Sequence, residues 1–450
     1  MSCVESSDKV HQDPKVARHC TSCHLYPDPS SLTSEIWTES VLPEMADYFI
    51  WPSTSEFIYA NKPFYNKLGR SPMDDDTWKG IINFYGKFGL QSIDTIASSA
   101  LEDQREFSEK LLQLNHSREI TSLAITKDHE LLIGSKGILY SMDSSFVVLD
   151  STSIGEDILN IYPYNQDSIF IATAASIDPH EGKDGRVLLY QEDISSVITG
   201  LSRPVQLLKK GQDLYISQFG YRTGALSKHN LHQTSRTDLH QYPGTYRLHE
   251  ARLSSNAEKE LIISVAQALD GVYKLDTTSG YALKPLIRFR PEFGLSDIDI
   301  ADINGDGLDD IVVVNGDNAD YSIMPKSYHG IRVYLNTGDE TFEESFHYSL
   351  YGATQGKFID INGDEYMDII VSSYFSIYSG ESVLIFLGQE NMYYEPYKVK
   401  NAPHGKWMVM EKGDLDNDGD EDVVLGSYQG GPMKDLDIDQ HHDILVLINN

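Results

Sequence analysis

Three acidic nine-residue stretches in the last third of the chain constrain its fold more than any other feature. They are Asp302–Asp310 (DINGDGLDD), Asp360–Asp368 (DINGDEYMD) and Asp414–Asp422 (DLDNDGDED). Each places an oxygen-bearing side chain at positions 1, 3, 5 and 9. Those residues are Asp302, Asn304, Asp306 and Asp310; Asp360, Asn362, Asp364 and Asp368; and Asp414, Asp416, Asp418 and Asp422. Each stretch then runs into apolar, mostly β-branched residues: Ile311-Val312-Val313-Val314, Ile369-Ile370-Val371 and Val423-Val424-Leu425. Such runs read as strands buried on both faces. A second apolar strand follows each, beginning at Gly330, Ser382 and Asp443.

The same strand pair recurs upstream without the acids. First strands begin near Leu131, Ile169, Leu214 and Leu261, with partners near Gly137, Gly185, Gly224 and Gly271. A single unit cannot bury both of its faces, whereas units stacked radially can. The expectation is an all-β propeller over residues 117–450. Seven blades is the expected count, with six and eight as the alternatives.

The spacing of the acids curls a short loop around a hard cation. Carboxylate and amide oxygens suit Ca²⁺, which takes roughly six to eight such ligands. An EF-hand is excluded, because it needs a Glu at position 12 and a following helix. Position 12 here is Val313, Val371 or Leu425, inside a strand. Up to three calcium ions are therefore expected. Glu365 replaces the glycine at position 6 of the middle loop, which strains the turn or weakens that site. These loops resemble FG-GAP/VCBS repeats, as in integrin-type propellers, and Asn336–Phe342 resembles that family's turn after the second strand. The likeness covers about 295–450 and thins to strand pairs over 118–290. There Arg252 stands where Asp302 would, so that unit should not bind metal in this way.

The chain has three cysteines, Cys3, Cys20 and Cys23, too few for a disulfide scaffold. Two of them form Cys20-Thr21-Ser22-Cys23-His24. Two thiols at this spacing can each add to a haem vinyl group, and the adjacent His then sits under the iron. The competing readings are a zinc knuckle, with Cys3 and His11 as further ligands at irregular spacing, and a redox dithiol, which lacks its usual βαβ surroundings.

Residues from about 13 to 114 carry helix signals and few strand signals. Thr33 or Ser34 caps a helix through Leu42. Asp74 caps a second, with Trp78, Ile81, Ile82, Tyr85 and Phe88 at helical spacing. A third is expected over Ala100–Leu114. The motif, together with Pro27, Pro29, Trp37 and Val41–Met45, resembles a c-type cytochrome module fused to repeat proteins in environmental bacteria. Residues Trp78–Tyr85 resemble its closing helix. That resemblance implies one covalent haem c held by Cys20, Cys23 and His24, with Met45 as the sixth ligand and Met73 as the alternative. The expected organisation is multidomain: a tail over 1–12, a small all-α cytochrome c-like domain over 13–116, and the propeller.

Such maturation happens outside the cytoplasm, so a periplasmic, cell-surface or secreted location is expected. Met1-Ser2-Cys3 has neither a charged nor an apolar leader region, which suggests a removed or truncated leader. Cys3 then resembles a lipoprotein acceptor for a lipid anchor. Lys plus Arg number 36 against 68 Asp plus Glu, a net charge of −32. That balance disfavours nucleic acid. It favours cations and a basic redox partner, or else reflects salt adaptation. Apolar runs such as Ile444–Ile448 fall far short of the about 20 residues of a membrane helix.

The expected function is electron transfer, with the propeller as a binding or docking module. Two alternatives remain: a propeller oxidoreductase that passes substrate electrons to haem, and an adhesion module that binds a glycan or small molecule beside a haem sensor. The sequence offers no nucleophile–base constellation and no phosphate loop. His180, His404, His441 and His442 are candidates for the propeller mouth, although isolated histidines are usually structural or exposed.

Overall fold

The computed structural model describes residues 12–21, 24–43, 45, 75–92, 100–114, 119–233, 235–255, 258–267, 269–278, 280–316, 325–376, 381–430 and 441–449. It is a β-propeller of six antiparallel sheets, five of four strands and one of six. The strands of Ile311–Val314 and its counterparts are fully buried. Alternate residues of a strand point to opposite faces, and each face has its own partner. Ile311 and Val313 pack with Ile262, Val272 and Ile298. Val312 and Val314 pack with Phe358, Ile369 and Val371 of the next sheet. A continuous apolar run is therefore what two covered faces require.

The ring is closed by its ends. Strand Ser108–Leu112 pairs antiparallel with Ile444–Ile448, Leu111 lying opposite Leu445, and so completes the sheet of Trp407–Gly413 and Asp422–Ser427. At the axis, polar side chains of one innermost strand accept main-chain N–H groups of the next. Ser122 accepts from Ile161 (3.1 Å), Asn160 from Leu207 (3.0 Å) and Gln206 from Leu248 (3.0 Å). Asp297 accepts from Gly356 (3.2 Å) and Asp299 from Phe358 (3.0 Å). Gln355 accepts from Met410.

Two expectations are corrected. The blade count is six hydrogen-bonded sheets rather than seven. The units expected at 131 and 169 share the long strand Val148–Asn165, whose first part pairs with Leu131–Met142 and whose second part pairs with Ser168–Ala174. Among the described residues a distinct all-α cytochrome c-like domain does not form either. Among the described residues the N-terminal segment holds three short helices: α1 (Pro14–Cys20), α2 (Ser34–Ile36, continued by a π-helical turn over Trp37–Val41) and α3 (Asp75–Phe88). The third expected helix is instead the closing strand 108–112. Its Leu111 and Leu112 suit either element, and pairing with a distant strand decides the matter.

Helix α3 does bury Ile81 and Tyr85, against Val16, Cys20, Trp37 and Leu42. Asp13 caps α1 through Lys15 N–H (2.7 Å), and Thr33 caps α2. No described helix is long and apolar enough to cross a membrane.

Gln206 also donates to Leu248 O (3.0 Å), so it satisfies both main-chain groups of that residue. Gln206→Ala is expected to destabilise the protein by about 1–3 kcal/mol in denaturant titrations, because two buried polar groups lose their partner.

Candidate cation loops and the Cys-x-x-Cys-His segment

All three acidic loops leave the end of an innermost strand and turn into the second strand of the same sheet. They join Asp297–Ala301 to Asp310–Asn315, Ala353–Ile359 to Asp368–Ser373, and Trp407–Gly413 to Asp422–Ser427. Inside each loop the first Asp gathers two N–H groups. Asp302 accepts from Gly305 and Gly307 (both 2.8 Å), Asp360 from Gly363 (2.9 Å) and Glu365 (3.2 Å), and Asp414 from Asn417 (2.6 Å) and Gly419 (3.2 Å). Asn304 and Asn362 accept from the residue at position 5, and Asp306, Asp364 and Asp418 from position 7. Position 6 lies in left-handed space in all three loops: Gly307 at φ 86°, Gly419 at 102° and Glu365 at 71°. The side chain of Glu365 makes that conformation cost roughly 1 kcal/mol relative to glycine.

Position 9 differs from the rest. Asp310, Asp368 and Asp422 are fully buried. Each uses both carboxylate oxygens on main-chain donors. Asp310 joins Ile303 (3.1 Å) to Asn336 (2.8 Å), Asp368 joins Ile361 (2.8 Å) to Gly388 (2.6 Å), and Asp422 joins Leu415 (2.8 Å) to Asn449 (2.9 Å). The ninth residue thus braces the loop to the third strand of its sheet, a role the spacing alone did not reveal. In the third loop Asp414, Asp416 and Asp422 bring one oxygen each within 4.8 Å of one another. Burial, with neighbouring carboxylates adding to it, pushes Asp310 up to about 6 and Asp368 up to about 7 despite their N–H donors. Asp416 and Asp422 are also raised, burial coming first.

At the N-terminal segment, Cys20 ends α1 and is buried, with its Sγ 3.9 Å from the Tyr85 hydroxyl. That hydroxyl donates to Pro27 O (3.1 Å), and the Tyr85 ring lies 4.5 Å from that of Trp37. His24 is half-buried, and its Nδ1 donates to Leu25 O (2.8 Å). Burial first, then the nearby Cys20 thiol, pushes the Tyr26 hydroxyl up to about 12. Met45 is half-buried. Cys3, His11, Cys23, Met73 and Asp74 lie outside the described residues.

Other groups that the sequence reading passed over meet in space. Arg247 forms an ion pair with Asp297 (2.6 Å) at the axis, near Lys357, Asp299, Glu411 and His249. Burial holds His249 down to about 4. Beside them lies a cavity of about 380 Å³ lined by Asn160, Tyr162, Gln206, His249, Glu250 and Glu411. The signal in the sequence was polar residues interrupting apolar strands. Ser427, His441 and Asp443 also approach one another. Ser427 is fully buried, with its Oγ 3.0 Å from His441 Nε2 and accepting Lys406 N–H (2.9 Å). The His441–Asp443 separation of 3.9 Å exceeds a hydrogen bond. Asp443 Oδ2 holds Leu114 N–H (2.7 Å), so the group braces the closing strand rather than presenting a nucleophile. His180 bonds Asp178 O (2.8 Å) and Asp184 (3.1 Å), and the rings of His404 and His442 lie 6.1 Å apart.

The fold and the loops define a β-propeller with FG-GAP-like repeats. Residues 302–371, which span the first two acidic loops, match the FG-GAP-like repeat family. No curated protein sequence matches the chain. Among solved structures, the extracellular domain of a putative hybrid two-component system from B. thetaiotaomicron is 14% identical, with a TM-score of 0.47, covering 76% of this chain and 42% of that one. The extracellular domain of a putative one-component system from the same organism is 8% identical, with a TM-score of 0.48, covering 76% and 40%. The Neurospora crassa Pan2 WD40 domain is 10% identical, with a TM-score of 0.47, covering 77% and 97%. This chain thus spans about two fifths of the two bacterial structures.

Removing a brace and removing a ligand have different expected effects. In metal-free protein Asp422→Ala should cost roughly 2–4 kcal/mol, because two buried N–H groups lose their acceptor. Asp418→Ala, on the loop surface, should cost little. The raised carboxyls of Asp310 and Asp368 carry a sign as well. Their folded values lie above the 3.8 of an exposed Asp, so their contribution is full below about pH 4 and is lost as pH rises through 6 to 7. Thermal melts in chelator should therefore fall over that range.

Proposed function

We propose that this protein is an extracytoplasmic electron-transfer protein in which a calcium-pinned propeller serves as the docking module. The haem would be attached covalently to the N-terminal Cys-x-x-Cys-His segment. One observation carries the haem reading: within that motif, Nδ1 of His24 donates to a main-chain carbonyl. In the neutral ring this favours the tautomer in which Nε2 holds the lone pair, the arrangement an axial ligand needs. Cys20 fits as well, since its thiol is buried among Val16, Tyr26, Trp37 and Tyr85 and shielded from water. Cys20, Cys23 and His24 would hold the group and Met45 would complete the iron's ligands. When bound, haem supplies a one-electron couple, and a methionine ligand raises its potential relative to two histidines.

The calcium reading is supported by the acid spacing and by the closeness of Asp414, Asp416 and Asp422. In the first and second loops Asp302, Asn304, Asp306 and Asp310, and Asp360, Asn362, Asp364 and Asp368, would serve in the same way. Calcium would offset the mutual repulsion of these carboxylates and hold the ends of three blades. The acidic surface would steer a basic redox partner.

Expressed with haem-attachment machinery, the full chain should give the alkaline pyridine spectrum of a covalently bound haem. Cys20→Ala together with Cys23→Ala should lose it, and mass analysis without added porphyrin would refute the redox reading. Met45→Ala should remove the weak far-red band of methionine-ligated ferric haem. Calorimetric titration should show up to three calcium ions bound, with Asp414→Ala removing one.

A further inference from the structure

The N-terminal segment rests on the propeller at the strand ends opposite the acidic loops. Residues 290–293 precede the innermost strand Asp297–Ala301, and residues 326–329 precede Gly330–Gly338. The contact is small and polar. Asp28 N–H donates to Glu292 Oε1 (3.1 Å), and Arg290 Nε donates to the same oxygen (3.0 Å). Arg290 Nη1 reaches Asp28 Oδ2 (3.1 Å), and the Tyr328 hydroxyl donates to Ser31 O (3.1 Å). Phe293 packs against Tyr328 under the guanidinium groups of Arg290 and Arg332.

Glu292 is anomalous in this contact. Its side chain is 2% exposed, and its Oε2 has no hydrogen-bond partner. A buried carboxylate oxygen without a donor is costly when charged and tolerable when neutral. We propose that this contact is a proton-controlled latch: the N-terminal segment is clamped to the propeller while Glu292 is protonated, and it loosens when Glu292 ionises. Ionised Glu292 gains water only if residues 28–31 lift away, since Asp28 lies across its other oxygen.

Burial sets this direction, and the surrounding charges divide. Arg290 favours the ionised form but is shared with Asp28. Asp28 acts both ways, its N–H favouring the ionised form and its carboxylate opposing it, while Asp270, itself pushed up to about 8 by burial, is mostly neutral where Glu292 ionises. His329 donates Nε2–H to Glu292 O (3.1 Å) and is held down to about 3 by burial, so it stays neutral across the range. Lys326, held down to about 8, and Arg332 face His329. Tyr328 and Tyr85 complete the neighbours and stay neutral, as burial raises both hydroxyls.

Burial, the largest influence, puts Glu292 at about 7, against 4.5 for an exposed carboxyl. The clamped value lies above the released one. Clamping is therefore strongest below about pH 4.5 and weakens as pH rises through 7. Between pH 5 and 8 the opening constant should rise by roughly 70-fold.

Hydrogen exchange of the full chain tests this and needs no haem, so its outcome is separate from that of the redox reading. Exchange times are scaled to the intrinsic rate at each pH, with strand Asp310–Asn315 as the internal reference. The expected result is a roughly 70-fold rise in exchange of residues 14–21 and 24–43 from pH 5 to pH 8. Glu292→Gln, which keeps the acceptor for Asp28, should flatten the profile, while Asp270→Asn should keep it. Tyr328→Phe should raise opening at every pH without changing the slope. A flat wild-type profile, a slope that survives Glu292→Gln, a slope lost in Asp270→Asn, or no effect of Tyr328→Phe each overturns the proposal.

Discussion

The propeller depends on how its innermost strands satisfy their exposed edges. Over the stretch that faces the axis, each such strand pairs with a strand of its own sheet on one side only. The other edge faces the axis, where an unpaired N–H would be costly. A polar side chain from the neighbouring innermost strand supplies the acceptor. Ser122, Asn160, Gln206, Asp297, Asp299 and Gln355 repeat this device around the ring. Apolar packing between sheets is non-directional and supplies most of the stabilisation. The hydrogen bonds across the axis tie each sheet to one neighbour in one register. The Arg247–Asp297 pair belongs to the same set. A buried ion pair adds little net stability, but breaking it would leave a charge stranded.

The two candidate sites sit at opposite ends of the strands. At one end, carboxylates at position 9 tie the acidic loops to the third strand of each sheet, so anything bound there would act on the rigidity of whole blades. At the other end, the segment bearing Cys20 and His24 meets the propeller through Asp28, Ser31, Arg290, Glu292 and Tyr328. Cation binding in the loops and protonation of Glu292 would thus act on separate groups at opposite ends of the stacked sheets.

Much of this was legible in the sequence. Continuous β-branched runs after an acidic turn announce strands covered on both faces, and the alternating contacts of Ile311–Val314 show why. The spacing Trp78, Ile81, Ile82, Tyr85 announced helix α3, whose Ile81 and Tyr85 are buried. The acidic loops were legible because their oxygens recur at fixed positions within nine residues, a purely local pattern. The closing strand was not. Phe107, Leu111 and Leu112 match helical spacing, and the partner that makes 108–112 a strand lies more than 300 residues away. The blade count failed for a related reason. Local periodicity marks where strand pairs begin, but it cannot show that Val148–Asn165 continues unbroken from one neighbour to the other.

By itself the sequence determined the repeating sheet architecture, the spacing of oxygen side chains in the acidic loops and the presence of a Cys-x-x-Cys-His segment, because each is written in residues near one another in the chain. Only the tertiary structure decided that the sheets number six and that Asp310, Asp368 and Asp422 act as braces. It also decided that Ser427 is sealed in the interior and that Glu292 is buried with one oxygen unpaired beneath Asp28. Those properties belong to groups brought together from distant parts of the chain, and burial, which sets the cost of a charge, exists only once they have met.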